Sequence, residues 1–438
     1  MVVPVPYGFT HEDLHVCLRQ LRLFLETSDS VPMELLRYCI AGLNHGGRVT
    51  DGQDRRLLVA LLSSVYHEDA LKAGHCFFAT ADGRERYVQP HATAHEEYVA
   101  AIGALPHVTS PGAFGLHSNA AISKDLKEAN ELLDSILRTQ PRAHGSSGGV
   151  GDDMLSQITN DIAAKLPDAF DVEAVQARYP VEYLQSMNTV LSQEVSRCNR
   201  LTKVIRTSLA NLERATKGLV VMDADLEALA DSLMVGQRPA MWMKRSYPSL
   251  KPLSGYVLDL VRRLRFFSDW VRDGLPDDFW LPSFFFTQSF LTGAQQNYAR
   301  KNGISIDRID FHYSILTAKP GEAEAPEDGV YVHGCFLEGA RYDPTTCVLA
   351  ESEPKVLFTE LPMMWLRPVE VTEVTMEVVE SPQSSGFLCP LYRVSTRQGV
   401  ISTTGHSTNF VMMLKLPSDQ PMEHWVKRGV AALMALDD

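Results

Sequence analysis

The chain has 438 residues, 45% of them hydrophobic and 22% charged, with a formal net charge of −13. That length exceeds one ordinary core and implies two or three domains, while the polar balance excludes wholesale disorder and the acidity disfavours a nucleic-acid partner. No apolar run approaches the roughly 20 residues that span a bilayer, and "MVVPVPYGFT" lacks the zones of a signal peptide. The first third reads as short helices. Thr10 suits the cap of one whose Leu14, Cys17, Leu18, Leu21 and Leu25 fall at three-four spacing. Pro32 suits the first turn of a second, with Leu35, Leu36, Cys39 and Ile40 facing inward. A third carries the stripe Leu57, Leu58, Leu61, Leu62, Val65 and Tyr66. Residues 75–117 read as irregular, 125–138 as helix, and the Gly/Ser-rich 141–153 as a flexible loop.

A long helix is expected within 181–217, with others near 222–235 and 252–273. One more is expected in "SFFFTQSFLTGAQQNYARKNG", closed by Gly303. Beyond about residue 305 the chain turns to short aromatic and β-branched runs separated by Gly, Pro and Asp. There Phe410, Met412, Leu414 and Leu416 alternate onto one face, as a half-buried strand requires. The turns are marked by Gly329, Gly334, Gly339, Gly399 and Gly405. The fold class is α+β: a helical body followed by a small antiparallel, barrel-like β domain.

The stretch "HGGRVTDGQDRR", from His45 to Arg56, carries the glycines, hydroxyl and acids of a phosphate loop. A Walker loop needs GxxxxGK[ST], and Gly46-Gly47 is followed by Arg48-Val49-Thr50, without the spacing or the lysine. It also follows a helix, where a phosphate loop follows a strand. A helix corner explains more. Gly46 or Gly47 ends one helix in the left-handed conformation, and Thr50 caps the next, with Gln53 completing a capping box. Arg48 is left to pair with Asp51, Asp54 or another segment.

Other motifs have structural readings. "GSSGG", Gly145 to Gly149, matches the nucleophile elbow but lacks the flanking strand, so Ser147 is not expected to be a nucleophile. His406 lies near Ser402, Ser407 and Asp419 with no elbow or oxyanion loop, which reads as a hydrogen-bonded turn. "HEEYV" and "HEDAL" lack the second His of a zinc helix. Phe284, Phe285, Phe286, Phe290, Trp270 and Trp280 read as core or interface packing. The seven cysteines are odd in number and form no CxxC pair, as in a reduced, cytosolic chain with structural thiols. No catalytic, metal or cofactor residue is expected.

"ELLRYCIAGLNHGGRVTDGQDRRLL" resembles the lid of the sixth AAA module of dynein heavy chains. "PAMWMKRSYPSLKPLSGYV", "FFFTQSFLTGAQQNYARK", "PEDGVYVHGCFLEGA", "STTGHSTNFV" and "LPSDQPMEHWVKRGVA" resemble the C-terminal region of the same family, in the same order and with an axonemal, inner-arm flavour. The lid motif of the family reads NYGG and DWD; here it is Asn44-His45-Gly46-Gly47 and Gly52-Gln53-Asp54. The resemblance implies three parts: a helical lid over 1–114, a helical section over 115–304 and a β-rich domain over 305–438. It implies that Gly46, Gly47, Arg48, Thr50 and Asp51 are structural, and that ATP and magnesium belong to AAA modules upstream of this chain. The implied partners are the rest of the AAA ring and, indirectly, other dynein chains and microtubules, in the axoneme of a cilium or flagellum within the cytoplasmic cytoskeleton. The alternative expectation is a stand-alone, non-catalytic module that binds dynein parts.

Overall fold

Apolar residues at three- and four-residue spacing build the helices of the computed structural model, which describes residues 7–72, 74–80, 85–139, 150–371, 386–397 and 407–437. The first part contains α1 (His11–Thr27), α2 (Met33–Tyr38), α3 (Gly52–Ser63) and α4 (His95–Gly103), with a small hairpin of β1 (Cys76–Ala79) and β2 (Arg86–Val88). Helix α5 (Asn119–Thr139) leaves it, and α6 (Val150–Lys165) and α7 (Val172–Arg178) follow. Next come the long α8 (Ser186–Thr216), then α9 (Ala224–Met234), the short α10 (Ala240–Met243), α11 (Leu253–Asp273) and α12 (Thr287–Asn302). Helix α12 stops at Gly303, whose φ of 66° lies in the left-handed region, as its sequence suggests.

Helix α8 is the axis of the core. Leu191, Val195, Cys198, Leu201, Ile205 and Leu212 recur on one face and are all buried. Each such apolar side chain contributes about 1.5–3 kcal/mol relative to exposure. Helix α12 approaches α8 closely, because a Cβ at Gly293 would lie 3.1 Å from Val190 Cγ2. Trp270, Phe279, Phe284 and Phe290 pack with ring centroids 4.3 to 6.5 Å apart. The aromatic run is thus core, with one departure: Phe286 is exposed.

The β part departs from the expected antiparallel barrel. Strands β3 (Asp278–Trp280), β5 (Val330–His333), β10 (Met364–Glu370) and β4 (Ile309–Ile315) form one sheet in that order. Strands β12 (Phe410–Leu416), β11 (Phe387–Tyr392), β13 (Ala431–Leu433), β6 (Phe336–Glu338) and β9 (Phe358–Glu360) form another. Strands β7 (Ala340–Asp343) and β8 (Val348–Glu351) make a separate hairpin. Neither sheet closes among the described residues. Two pairings, β3 with β5 and β11 with β13, are parallel. The cause is connectivity. Strand β3 arrives from the helical section; β12 runs back beside β11, and the chain then passes through the helix α13 (Met422–Arg428) and reverses again, so that β13 lands on the other side of β11 and parallel to it.

The expected alternation in β12 is also interrupted. Leu391 pairs with Met412 but Tyr392 pairs with Phe410, so Val411 is an extra residue and is buried beside Leu414 and Leu416. Helices and both sheets share one continuous apolar cluster running from Ala60 to Met434. The Gly145–Gly149 elbow match, Ser402, His406, Gly399 and Gly405 lie outside the described residues. All seven cysteines are free thiols.

Candidate functional site at the helix corner and its seam

The five residues singled out by sequence lie together between α2 and α3. Helix α2 widens into a π-helical turn, Cys39–Asn44, and a 3-10 turn, Gly46–Arg48, follows. The two glycines have different reasons. A Cβ on Gly46 would lie 1.6 Å from the Ala41 carbonyl oxygen, so only glycine fits that close approach. Gly47 has open space around its Cα. Neither has the positive φ expected of a left-handed helix end, because the wide turn already carries the backbone around the corner.

The cap of α3 lies one residue later than its sequence suggests. Asp51, in an extended conformation, accepts from Gln53 N at 2.8 Å and Asp54 N at 3.2 Å. Thr50 is exposed and stands just outside the cap. Aspartate competes well for an N-cap because its carboxylate also meets the positive end of the helix dipole. The shift puts Asp54, not Gln53, at the third helical position, and removes the capping box. Tyr7 donates to Asp54 Oδ2 at 2.8 Å and accepts from Asp51 N at 3.2 Å. Burial, then the Asp54 carboxylate, pushes its phenol up to about 12.

Arg48 does not pair with Asp51 or Asp54. Its guanidinium reaches Asp13 on α1 at 3.0 Å, and it stays half-exposed. Asp13 Oδ2 also accepts from Thr10 N at 2.8 Å, which holds the start of α1. The Thr10 amide first, and then Arg48, hold the Asp13 carboxyl below the usual carboxylate range. Asp51 and Asp54 are occupied by backbone amides and by Tyr7, so Arg48 finds the remaining acid.

Sequence reasoning missed the residues that join this corner to the rest. Arg55 donates to Gly46 O and Val49 O at 3.2 and 3.0 Å, adding a second donor at Gly46 O, which already accepts from Val49 N. Arg56 points the other way, donating to Leu388 O at 2.8 Å and lying 5.4 Å from the Phe387 ring centroid. Burial lowers the pKa of its guanidinium. A second tie lies at the start of α5. Asn119 donates to Glu353 O and Val356 O at 2.9 and 2.8 Å and accepts from Lys355 N at 2.8 Å. A third is Arg428 on α13, bonded to Gly115 O at 2.9 Å and to Glu351 at 3.0 Å. Gly115 is fixed by contact as well as by its φ of 80°, since a Cβ there would come 2.7 Å from Lys427 Cβ. No short motif marks these ties, because each joins a side chain to a backbone group hundreds of positions away.

The corner, its capped helix and its seam with the β part are the lid and C-terminal region of a dynein heavy chain, and the protein belongs to that family. The family model of the AAA lid domain of dynein heavy chains matches residues 4–120, and that of the C-terminal domain of dynein heavy chains matches residues 126–434. The protein is 46% identical to dynein axonemal heavy chain 3 of Mus musculus over 99% of its own length and 10% of that relative. It is 46% identical to dynein axonemal heavy chain 12 of Homo sapiens, again over 99% of its own length and 14% of the relative. Dynein axonemal heavy chain 1 of Homo sapiens is 43% identical over 99% of the present sequence and 10% of the relative. The sequence therefore spans about a tenth to a seventh of the relatives it matches.

Proposed function

We propose that this protein is the C-terminal section of an ATP-driven microtubule motor of the axoneme. In this reading the lid completes the last AAA module of the ring, and the C-terminal region transmits the lid's movement without a nucleotide site of its own. The observation that carries it is the seam. Arg56, Asn119 and Arg428 tie the lid to the β part through backbone groups, so the two move as one piece. The N-terminus of α3, where a phosphate would sit, is filled by the Asp51 carboxylate with Asp54 beside it. A nucleotide phosphate would meet negative charge at that point. The partners are then the rest of the ring directly, and microtubules and other dynein chains through it, in cilia or flagella.

The test is made in a complete axonemal heavy chain bearing the equivalent of Asn119→Ala with Arg56→Met. Gliding velocity or force is expected to change while nucleotide affinity stays at the unmodified level. Unchanged motility would overturn the proposed transmission. For the 438-residue protein alone, calorimetric titration with Mg-ATP is expected to give no saturable heat, and micromolar binding would overturn the helix-corner reading.

A further inference from the structure

Five separate stretches of chain meet around a small cavity of about 10 Å³. Tyr247 follows α10, Arg263 lies on α11, Thr287 opens α12, Arg393 follows β11 and Met434 follows β13. None of these residues belongs to the seam with the lid. The volume admits a single ligand of roughly the size of one water and excludes phosphate or any organic anion.

Three of the lining side chains carry unanswered polar atoms. Thr287 and Tyr247 are 0 and 3% exposed. The Thr287 Oγ1, the Tyr247 hydroxyl and Nε of Arg393 are buried and have no hydrogen-bond partner among the described residues. Buried polar groups are nearly always paired, so three orphans around one small cavity point to a ligand. Arg263 is different. Its Nε meets Asp259 at 2.7 Å, its Nη1 donates to Pro282 O, and its guanidinium lies 3.6 Å from the Tyr247 ring centroid. Arg393 makes no ion pair among the described residues, and no carboxylate lines the cavity. The Glu194 carboxylate is engaged elsewhere, by Arg197 at 2.6 Å and by the Phe285 and Phe286 amides at 2.7 and 3.2 Å. Burial lowers the pKa of the Arg393 guanidinium, with Glu194 opposing it.

We infer that this cavity is a chloride site, in which the Thr287 and Tyr247 hydroxyls and Nε of Arg393 donate to one bound halide ion. Size limits the ligand to a single atom or a water, and charge decides between them. A water would satisfy the orphaned groups one by one and leave the guanidinium without a counter-charge. A halide accepts from all three donors at once and answers the positive charge, which is what a partly buried cation requires. Its donors come from the helical section and from the end of β11, so the ion joins the two parts of the C-terminal region.

The whole 438-residue protein is melted in sodium chloride and sodium gluconate, mixed to hold total salt at about 0.15 M. The midpoint is expected to rise with the logarithm of chloride concentration once the site fills, because a ligand of the folded state alone stabilises it by mass action. Bromide is expected to act as chloride does. Crystals soaked in bromide are expected to show an anomalous peak within hydrogen-bond distance of Thr287 Oγ1 and Arg393 Nε. Thr287→Val and Tyr247→Phe remove only the hydroxyls, and each is expected to raise the chloride concentration needed by about tenfold or more. The readout is the difference between two salts for one variant, so a lowered midpoint in either variant leaves it intact. Lys217→Gln, at the exposed end of α8, is the control and is expected to keep the full chloride dependence. Equal midpoints in the two salts, or full chloride dependence in both hydroxyl variants, would overturn the proposal. Bromide peaks confined to the surface would overturn it too, showing an adventitious ion only.

Discussion

Helices α1 and α8 carry the same kind of apolar periodicity and end in opposite environments. In α8 the residues Leu191, Leu201 and Leu212 are 0% exposed. In α1 the residues Leu14, Leu18 and Leu25 are 47, 53 and 52% exposed, and only Cys17 is buried. Leu35 on α2 and Leu126, Leu133 and Leu137 on α5 are exposed in the same way. The difference teaches that periodicity reports which face a helix offers for burial, and leaves open what covers it. The C-terminal region covers the α8 stripe itself, although its α5 stays open; the lid helices α1 and α2 offer a face that membership of an AAA ring gives a reason for.

The comparison can be broken most forcefully in the core. Phe290→Ala, at a fully buried ring packed against Phe284 and Phe279, is expected to cost about 3–5 kcal/mol. Leu18→Ala on α1 is expected to fall within about 0.5 kcal/mol. Chemical denaturation of both variants checks this, and similar losses would mean that α1 is buried in solution.

The seam comes next. Asn119→Ala removes the partner of two carbonyls and one amide at once; because Glu353 and Lys355 are exposed and water can reach them, about 0.5–1.5 kcal/mol is expected. A thermal melt monitored by tryptophan fluorescence reads it. A midpoint equal to that of the unmodified protein would show that water replaces the side chain there.

A smaller effect sharpens the lid itself. The triple variant Leu14→Gln, Leu18→Gln, Leu25→Gln is expected to bind less of the dye ANS than the unmodified protein, with little change in midpoint. Undiminished dye binding would place the exposed apolar face elsewhere.

The smallest effect belongs to Arg48. Its pair with Asp13 is half-exposed, so Arg48→Ala is expected to move the midpoint less than Asn119→Ala does. The pH dependence follows from the sign of the Asp13 shift. Its folded pKa lies below its unfolded one, so its contribution is complete above about pH 4 and is lost as the pH falls through the folded value. Asp13→Asn is expected to flatten that part of the acid limb, and acid titration followed by circular dichroism measures it.

How much of this was legible in the sequence differs by region for the same reason. The long helices near 222–235 and 252–273 and the Gly303 stop were readable, because their spacing and termination are local chemistry. Asp51 took the cap from Thr50 because two good caps stand side by side, and the competition was settled by Tyr7 from a distant segment. The Arg48 partner was one of the open options, on α1, and only folding brought Asp13 near it. The expected barrel failed on connectivity, since alternation in a strand does not say whether its neighbour runs parallel. Arg56 and Asn119 were invisible because their partners are backbone groups, which every residue has.

The central claim is that the lid's apolar face is the surface that meets the ring. Hydrogen–deuterium exchange tests it most directly, comparing this protein alone with the same protein bound to the large domain of the last AAA module of a dynein heavy chain. The account predicts slower exchange on binding in α1 and α2, and no change in α8 and α11. Protection confined to the β part, with the lid helices exchanging as fast as before, would contradict it.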